Sequence, residues 1–357
     1  MKGSLTLKIL RIRKKEVYLQ HKTNLNPSND SLMNANVTIE IITKSSDLPT
    51  LTCRNFFHSP ELFHILEQSR GQQPFMVVAK SDGRVVAHLL AILRRRGSLM
   101  PPYLFTQGRI YGDGEYEENV DREHLFGLML NAITRRLKRK MCLYVEVSDL
   151  SQKMFGYKAL RRHGYFPVHW SAIHNSLHSK APIERLSEKM KERVERVENN
   201  GLLFTEVRNL TDFNGFYRLF RRFFSLKVRR YMPSEEYFQL LMQSSHCRLF
   251  VVKLQEKVIG GCACIYSGTD ANLWMMASKR KSYPTLHPGT RTIWEAMCLA
   301  HSEGYAHFRF LDVGLPFRKT PMREFILRFG GKEVSTFRWF RFSLPWLNRF
   351  IGWFYHD

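Results

Sequence analysis

Two stretches of this sequence align with each other without a gap. Residues 144–168 (YVEVSDL to ALRRHGYFPV) run alongside residues 310–334 (FLDVGLP to FILRFGGKEV), pairing Glu146 with Asp312, Gly164 with Gly330 and Val168 with Val334. Each pair is separated by 166 residues, 312 − 146 in the first case. Within each stretch an apolar strand ends near an acid, a turn leads to a helix, a glycine closes the helix and a second strand follows. A shared acid and a shared glycine at equivalent structural positions point to an internal duplication. The chain is therefore expected to fold as two like halves.

The order of elements on either side supports that reading. From Val37 onward the apolar period switches between two and 3.6, the pattern of an α/β or α+β protein. In the first half Ser59-Pro60 starts a helix that runs to Arg70, with a hydroxyl at the N-cap and proline at the first helical position. Strands PFMVVAK and RVVAHLLAILR then flank the hairpin turn Ser81-Asp82-Gly83. A helix over 119–140, the strand CLYVEV, a helix ending near Gly164 and the strand FPVHWSAIHNSL complete it. The second half repeats the order with SEEYFQLLMQ, the hairpin LFVVKLQEKVIGGCACIY, ANLWMMAS, a helix from Pro288 to Gly304, HFRFLDV, a helix and EVSTFRWFRF.

Boundaries follow. Residues 1–36 carry seven Lys/Arg against two acids and almost nothing to bury, and are expected to be a flexible basic tail. Residues 37–180 form the first domain and 201–343 the second. Between them lies a charged helix, 181–200, whose five acids and five bases nearly cancel while Ile183, Leu186, Met190, Val194 and Val197 make an apolar stripe. Residues 344–357 read as an aromatic C-terminal helix, with Trp346, Leu347, Phe350, Ile351 and Phe354 on one side. That side suits either a membrane interface or the surface of the second domain.

Charge narrows the partners. The chain has 55 Lys+Arg and 32 Asp+Glu, a net +23, so an anionic partner is expected: nucleic acid, an anionic membrane surface or a phosphorylated substrate. No run reaches the roughly 18 apolar residues of a membrane span. Six cysteines lie mostly inside apolar strand or helix patterns, as reduced thiols do, and the expected location is cytoplasmic or peripheral to the inner membrane. Between Arg208 and Arg230 seven basic residues are interleaved with aromatics at helical spacing, so most of the rings belong to a core and the basic face, ending at Arg229, Arg230 and Tyr231, is free for phosphates.

Several fragments resemble the FemAB-like branch of the GNAT acyltransferase superfamily: NFFHSPELF, DGRVVA, GRIYGDG, YMPSEEYF, GGCACIY, YPTLHPGTRTIWEAMCLAHSEGYAHFRFLDVG and FGGKEVSTFRWF. The resemblance covers most of residues 37–343. It implies two tandem GNAT-like domains, each a mixed twisted sheet flanked by helices, the first degenerate and the second preserved. It implies an acyl or aminoacyl transferase acting on an amine of an anionic cell-envelope precursor, peptidoglycan- or polysaccharide-linked. A GNAT fold opens a slot between two strands for the acyl donor, and that slot is expected between ANLWMMAS and HFRFLDV. The helix from Pro288 starts there, and a helix N-terminus attracts anions. Tyr283, His287, Gly289, Thr290 and Arg291 are the expected donor and anion contacts. Asp312, at the end of its strand, is the expected catalytic residue; Arg229, Arg230, Tyr231 and Trp274 are the expected substrate contacts.

No tightly bound cofactor is expected, only a co-substrate. Coenzyme A enzymes of this fold carry a glycine-rich run with two glycines where LHPGTRT has one, which favours aminoacyl-tRNA over acyl-CoA and makes tRNA a candidate partner. An acyl-CoA-dependent N-acyltransferase is the alternative enzyme. A catalytically inactive basic scaffold for RNA or anionic lipid is the alternative outside catalysis. Neither His169, His174 and His178 nor Cys262 and Cys264 have partners at metal-binding spacing, and no metal site is expected.

Overall fold

A computed structural model describes residues 37–97, 104–148, 155–225, 231–311, 313 and 320–355. The basic tail lies outside them. The first half comprises β1 (Val37–Ile42), α1 (Pro60–Gln68), β2 (Gln72–Ser81), β3 (Arg84–Gly97), β4 (Leu104–Tyr111), the short β5 (Glu115–Tyr116), α2 (Arg122–Arg139), β6 (Tyr144–Ser148), α3 (Tyr157–Arg162) and β7 (Phe166–Ser176). The second comprises α4 (Glu188–Glu198), β8 (Leu202–Glu206), α5 (Leu210–Ser225), α6 (Glu235–Met242), β9 (Cys247–Leu254), β10 (Lys257–Ser267), β11 (Asp270–Ser278), α7 (Pro288–Ser302), β12 (His307–Phe310), α8 (Pro321–Leu327), β13 (Lys332–Phe342) and α9 (Pro345–Phe354).

Local chemistry sets most of these ends. The Ser59 hydroxyl accepts from the Leu62 amide at 3.0 Å and Pro60 opens α1. Asp121, Ser234 and Thr320 cap α2, α6 and α8 in the same way. The β2–β3 turn places Asp82 and Gly83 at φ 50° and 80°, the left-handed pair that a tight hairpin needs. From Val258 to Tyr266 β10 is buried without a break, as a strand covered on both faces must be.

The strands join in one sheet, ordered β1-β2-β3-β4-β6-β13-β7-β12-β11-β10-β9-β8, with β5 beside β3. Exchange each strand for its counterpart in the other half and the same order appears, read from the opposite end. At the centre the last strand of each half sits inside the sheet of the other: β13 lies between β6 and β7, and β7 between β13 and β12. In their antiparallel ladder Trp170 stands opposite Thr336, a residue 166 positions further on, and the Thr336 hydroxyl donates to the Trp170 carbonyl at 3.3 Å. The sequence offset and the ladder register therefore agree at the middle of the molecule.

Two apolar layers cover the sheet. One face carries α1 from the first half with α5 and α6 from the second, burying Phe57, Phe63, Phe213, Phe216, Phe220 and Phe238 in one cluster. On the other face α7 packs its Ile293, Trp294 and Met297 with Phe250, Phe308 and Phe310. The charged segment 182–198 divides into a 3-10 turn and α4, and its buried Met190, Val194 and Val197 rest against α7. Cys142, Cys247, Cys262 and Cys264 are buried free thiols.

Candidate active site: an opened strand pair beside an arginine-lined cleft

The parallel ladder between β11 and β12 is short. It pairs Asp270 with His307 and ends at Leu273 opposite Phe310, whereas β11 itself continues to Ser278. At the same point β11 carries a bulge: Ala263 of β10 faces Met275 and Cys264 faces Leu273, leaving Trp274 without a partner on β10. A bulge bends and twists its strand, and this one falls just where the ladder with β12 ends. The equivalent pair in the first half stays closed. There β4 and β6 pair from Gln107 with Tyr144 to Tyr111 with Ser148, and the Gly112 amide adds a further bond to the Ser148 carbonyl at 2.7 Å. Among the described residues, it is the second of these two pairs whose ladder stops short of the end of its longer strand.

The start of α7 lies against the opened end of β11. A Cβ on Gly289 would stand 3.1 Å from Ser278 Oγ and 3.2 Å from Met276 Cε, and one on Gly260 would stand 2.7 Å from Thr292 Oγ1. Glycine at both positions lets the helix approach this closely. Before it, His287 occupies the N-cap at φ 46° without a side-chain capping bond. A non-glycine residue held in that region costs on the order of 1–3 kcal/mol, and such strain gathers at functional sites. Burial, then Arg193 and Arg196, push the His287 imidazole below its ordinary value, so it stays neutral near pH 7.

The other expected donor contacts are placed as follows. Thr290 is buried within the first turn of α7. Arg291 is engaged inside the fold rather than standing open at the helix start: it pairs with Glu295 at 2.9 Å and donates to the Val197 carbonyl at 3.3 Å, tying α7 to α4. Tyr283 packs near Val252 and Ile259 beneath the Lys257 ammonium, 5.6 Å from its ring centre. Trp274 rests on Tyr237 and Phe238, its ring centre 5.7 and 6.1 Å from theirs, and forms a wall of the core. Tyr231 lies under the Arg94 guanidinium at 4.8 Å. Asp312, Arg229 and Arg230 lie outside the described residues.

Beside the slot, on the face that carries α1 and α5, charged side chains from both halves meet. Glu146 is buried at their centre. It is ion-paired with Arg109 and with Arg338 at 3.0 Å, and accepts from Gln107 Nε2 at 2.8 Å. Burial raises its pKa, but the two guanidinium groups outweigh that and hold it below the ordinary carboxylate value. Arg338 also donates to the Leu311 carbonyl at 2.9 Å, one residue beyond the end of the β11–β12 ladder, and stacks on Trp170 at 4.0 Å. A single arginine thus links the Glu146 cluster to the edge of the slot.

Two cavities open among these side chains and their neighbours. One is lined by Arg109, Trp170, His174, Arg309, Leu311 and Arg338 among others, the second by Arg94, Arg96, Gln107, Tyr144 and Tyr231. Arg309 pairs with Asp270 at 2.8 Å. Among the described residues, arginines 94, 109, 309 and 338 and the carboxylates Glu146 and Asp270 come together here. Although burial raises the Tyr111 pKa, Arg94 and Arg109 bring it down to about 8. Burial and then Arg309 lower His174 to about 4, so it faces the cavity as a neutral ring. The Trp170 indole N–H is buried with no hydrogen-bond partner among the described residues. Of this cluster the repeat singled out only Glu146; the available signal was a charge alternating with apolar residues in LLAILR, GRIY and TFRWFRF.

No curated protein matches the sequence. Residues 185–319 match the family described as Acetyltransferase (GNAT) domain. Among solved structures the fold is similar to that of FemX, with a TM-score of 0.59 at 10% identity over 88% of this chain and 100% of that one. It is also similar to L-PGS from Bacillus licheniformis, at 0.54 and 13% over 83% and 92% of the two chains. A tandem GNAT protein from the clavulanic acid biosynthesis pathway gives 0.54 and 10% over 86% and 99%. Residues 185–319, which enclose the end of the β11–β12 ladder, thus match the GNAT acetyltransferase domain, and the fold is shared with that of a tandem GNAT protein along most of the chain.

Proposed function

We propose that the chain transfers an aminoacyl group from aminoacyl-tRNA to an amine of an anionic cell-envelope precursor, peptidoglycan- or polysaccharide-linked. The opening of β11 from β12 beside an arginine-lined cleft carries this reading. An acyl carbonyl laid along Trp274–Ser278 meets strand amides that the β12 ladder does not use, and fixed amides aimed at a developing oxyanion are the chief source of rate in acyl transfer. The acceptor enters from the cleft, its anionic portion on the guanidinium groups and its amine at the slot. A bond forms between the amine nitrogen and the acyl carbon while the ester bond to tRNA breaks, and the proton that the amine gives up passes in the end to the released tRNA hydroxyl.

Asp312 is the proposed proton acceptor. It holds the position that Glu146 holds in the first half, at the offset of 166, and a carboxylate there is a group that can take up the proton of the amine. The +23 net charge and the single glycine of LHPGTRT favour tRNA over coenzyme A. One observation favours acyl-CoA instead: the close seat of the α7 N-terminus on β11 is where a pyrophosphate would be held.

Binding measured against salt separates the two donors. Charged tRNA should bind, with affinity falling steeply between low and moderate salt as counterions are released. Acetyl-CoA should bind weakly. Tight calorimetric binding of acetyl-CoA with no tRNA shift at low salt would replace the aminoacyl-tRNA reading with the acyl-CoA one.

A further inference from the structure

The last helix turns its aromatic side outward. Trp346, Phe350, Trp353 and Phe354 recur at i, i+4, i+7 and i+8, one stripe of a helix, and are 66%, 58%, 71% and 64% exposed. Phe354 touches both Phe350 and Trp353, with ring centres 5.2 and 5.0 Å away, so the stripe is continuous. The opposite side holds α9 to the body. Asn348 accepts from the Phe342 amide at 2.8 Å and donates to the Gly164 carbonyl at 2.9 Å, Gly352 lies over the Phe166 ring, and Tyr355 stacks on that ring at 6.0 Å. The helix is locked in place, and what it displays is apolar.

Its surroundings are cationic. Pro345–Phe354 contains no acid and includes the exposed Arg349. Arg341, at the end of β13, donates to the His163 carbonyl at 3.0 Å, beside the Gly164 carbonyl that Asn348 holds. Burial and then Arg162, Arg135 and Arg341 lower the pKa of His163, so these arginines lie near the His163–Gly164 turn that holds α9.

We infer that α9 is a docking surface for an anionic lipid bilayer, with its aromatic stripe at the boundary between headgroups and acyl chains and the nearby arginines on the phosphates. Tryptophan and phenylalanine on one side of a short helix, with arginine beside it, is the composition that partitions to that boundary. Lipid phosphates also supply the negative charge that matches the cluster. A second copy of the chain fits less well: ten residues of helix are only about 15 Å long, too little for the roughly 800 Å² per partner of a stable dimer. The proposal is independent of the catalytic reading.

The test is co-sedimentation of the full chain with vesicles, using phosphatidylcholine alone and phosphatidylcholine mixed with phosphatidylglycerol. The mixed vesicles should bind the protein, and brominated acyl chains in them should quench its tryptophan fluorescence. Trp353→Ser combined with Phe354→Ser should lower partitioning roughly tenfold or more while leaving the melting temperature unchanged, because both side chains are exposed. Equal binding of wild type and variant, or absence of quenching, would mean that the basic surface alone holds the vesicle and would overturn the proposal. So would a wild-type dimer in sedimentation velocity that the double substitution dissolves.

Discussion

Glu146 shows at single-residue scale how the two halves depend on each other. A carboxylate as buried as this survives only when paired and hydrogen-bonded, and its two arginines come from β4 of its own half and β13 of the other. Arg338→Ala removes one partner together with the Leu311 carbonyl bond; in urea unfolding it should destabilise the protein by about 3 kcal/mol, the scale for breaking a buried ion pair. Arg338→Lys should not restore this, since one ammonium cannot reproduce the guanidinium fork on two acceptors. The pH dependence has a definite sign. Because the folded pKa of Glu146 is depressed, its stabilisation is fully present above the ordinary value of 4.5 and is lost as pH falls through the folded value. The stability difference between wild type and Glu146→Gln should therefore shrink with acid below that range; a difference that stays constant would mean that the charge of Glu146 contributes nothing.

At the scale of elements, the slot depends on two local devices, the bulge at Trp274 and the glycine at the start of α7. Gly289→Val puts a branched side chain against Ser278 Oγ and Met276 Cε, so α7 must retreat from β11. Overpacking of this kind costs about 1–3 kcal/mol. Donor binding should fall further than stability does, as seen by comparing binding titrations with thermal melts; unchanged binding would separate the helix start from the donor. Much of this was legible in the sequence. Proline at the first helical position marks a helix start, and two strand patterns joined by a helix mark a parallel pair; that a donor slot lies there is what the resemblance implies. The arginine cleft was not legible, because Arg94, Arg109, Arg309 and Arg338 lie on four separate strands and come together only when β7 and β13 exchange places. Nor could spacing reveal that Arg291 turns back to Glu295 and Val197, since an arginine in a first helical turn suits both an anion and an i,i+4 partner.

At the scale of the whole molecule, the exchanged strands make one sheet of what the sequence presents as two domains. Without β7, the strand β12 loses its neighbour on one side and β13 loses one of its two, leaving open edges that invite aggregation. Fragments 37–180 and 201–357 should be insoluble or unfolded alone, and the whole chain should unfold in a single transition despite its length. Separate denaturation midpoints for probes in the two halves would contradict this.

Hydrogen–deuterium exchange tests the central claim, that the opened strand pair of the second half receives the acyl donor. Exchange should be followed in the free protein, with charged tRNA and with acetyl-CoA. The donor that binds should slow exchange at the amides of Trp274–Ser278, which β11 extends past its ladder with β12, and leave Leu104–Tyr111 of the closed first-half pair unaffected. Protection at Leu104–Tyr111, or saturating donor binding that leaves Trp274–Ser278 unprotected, would contradict it.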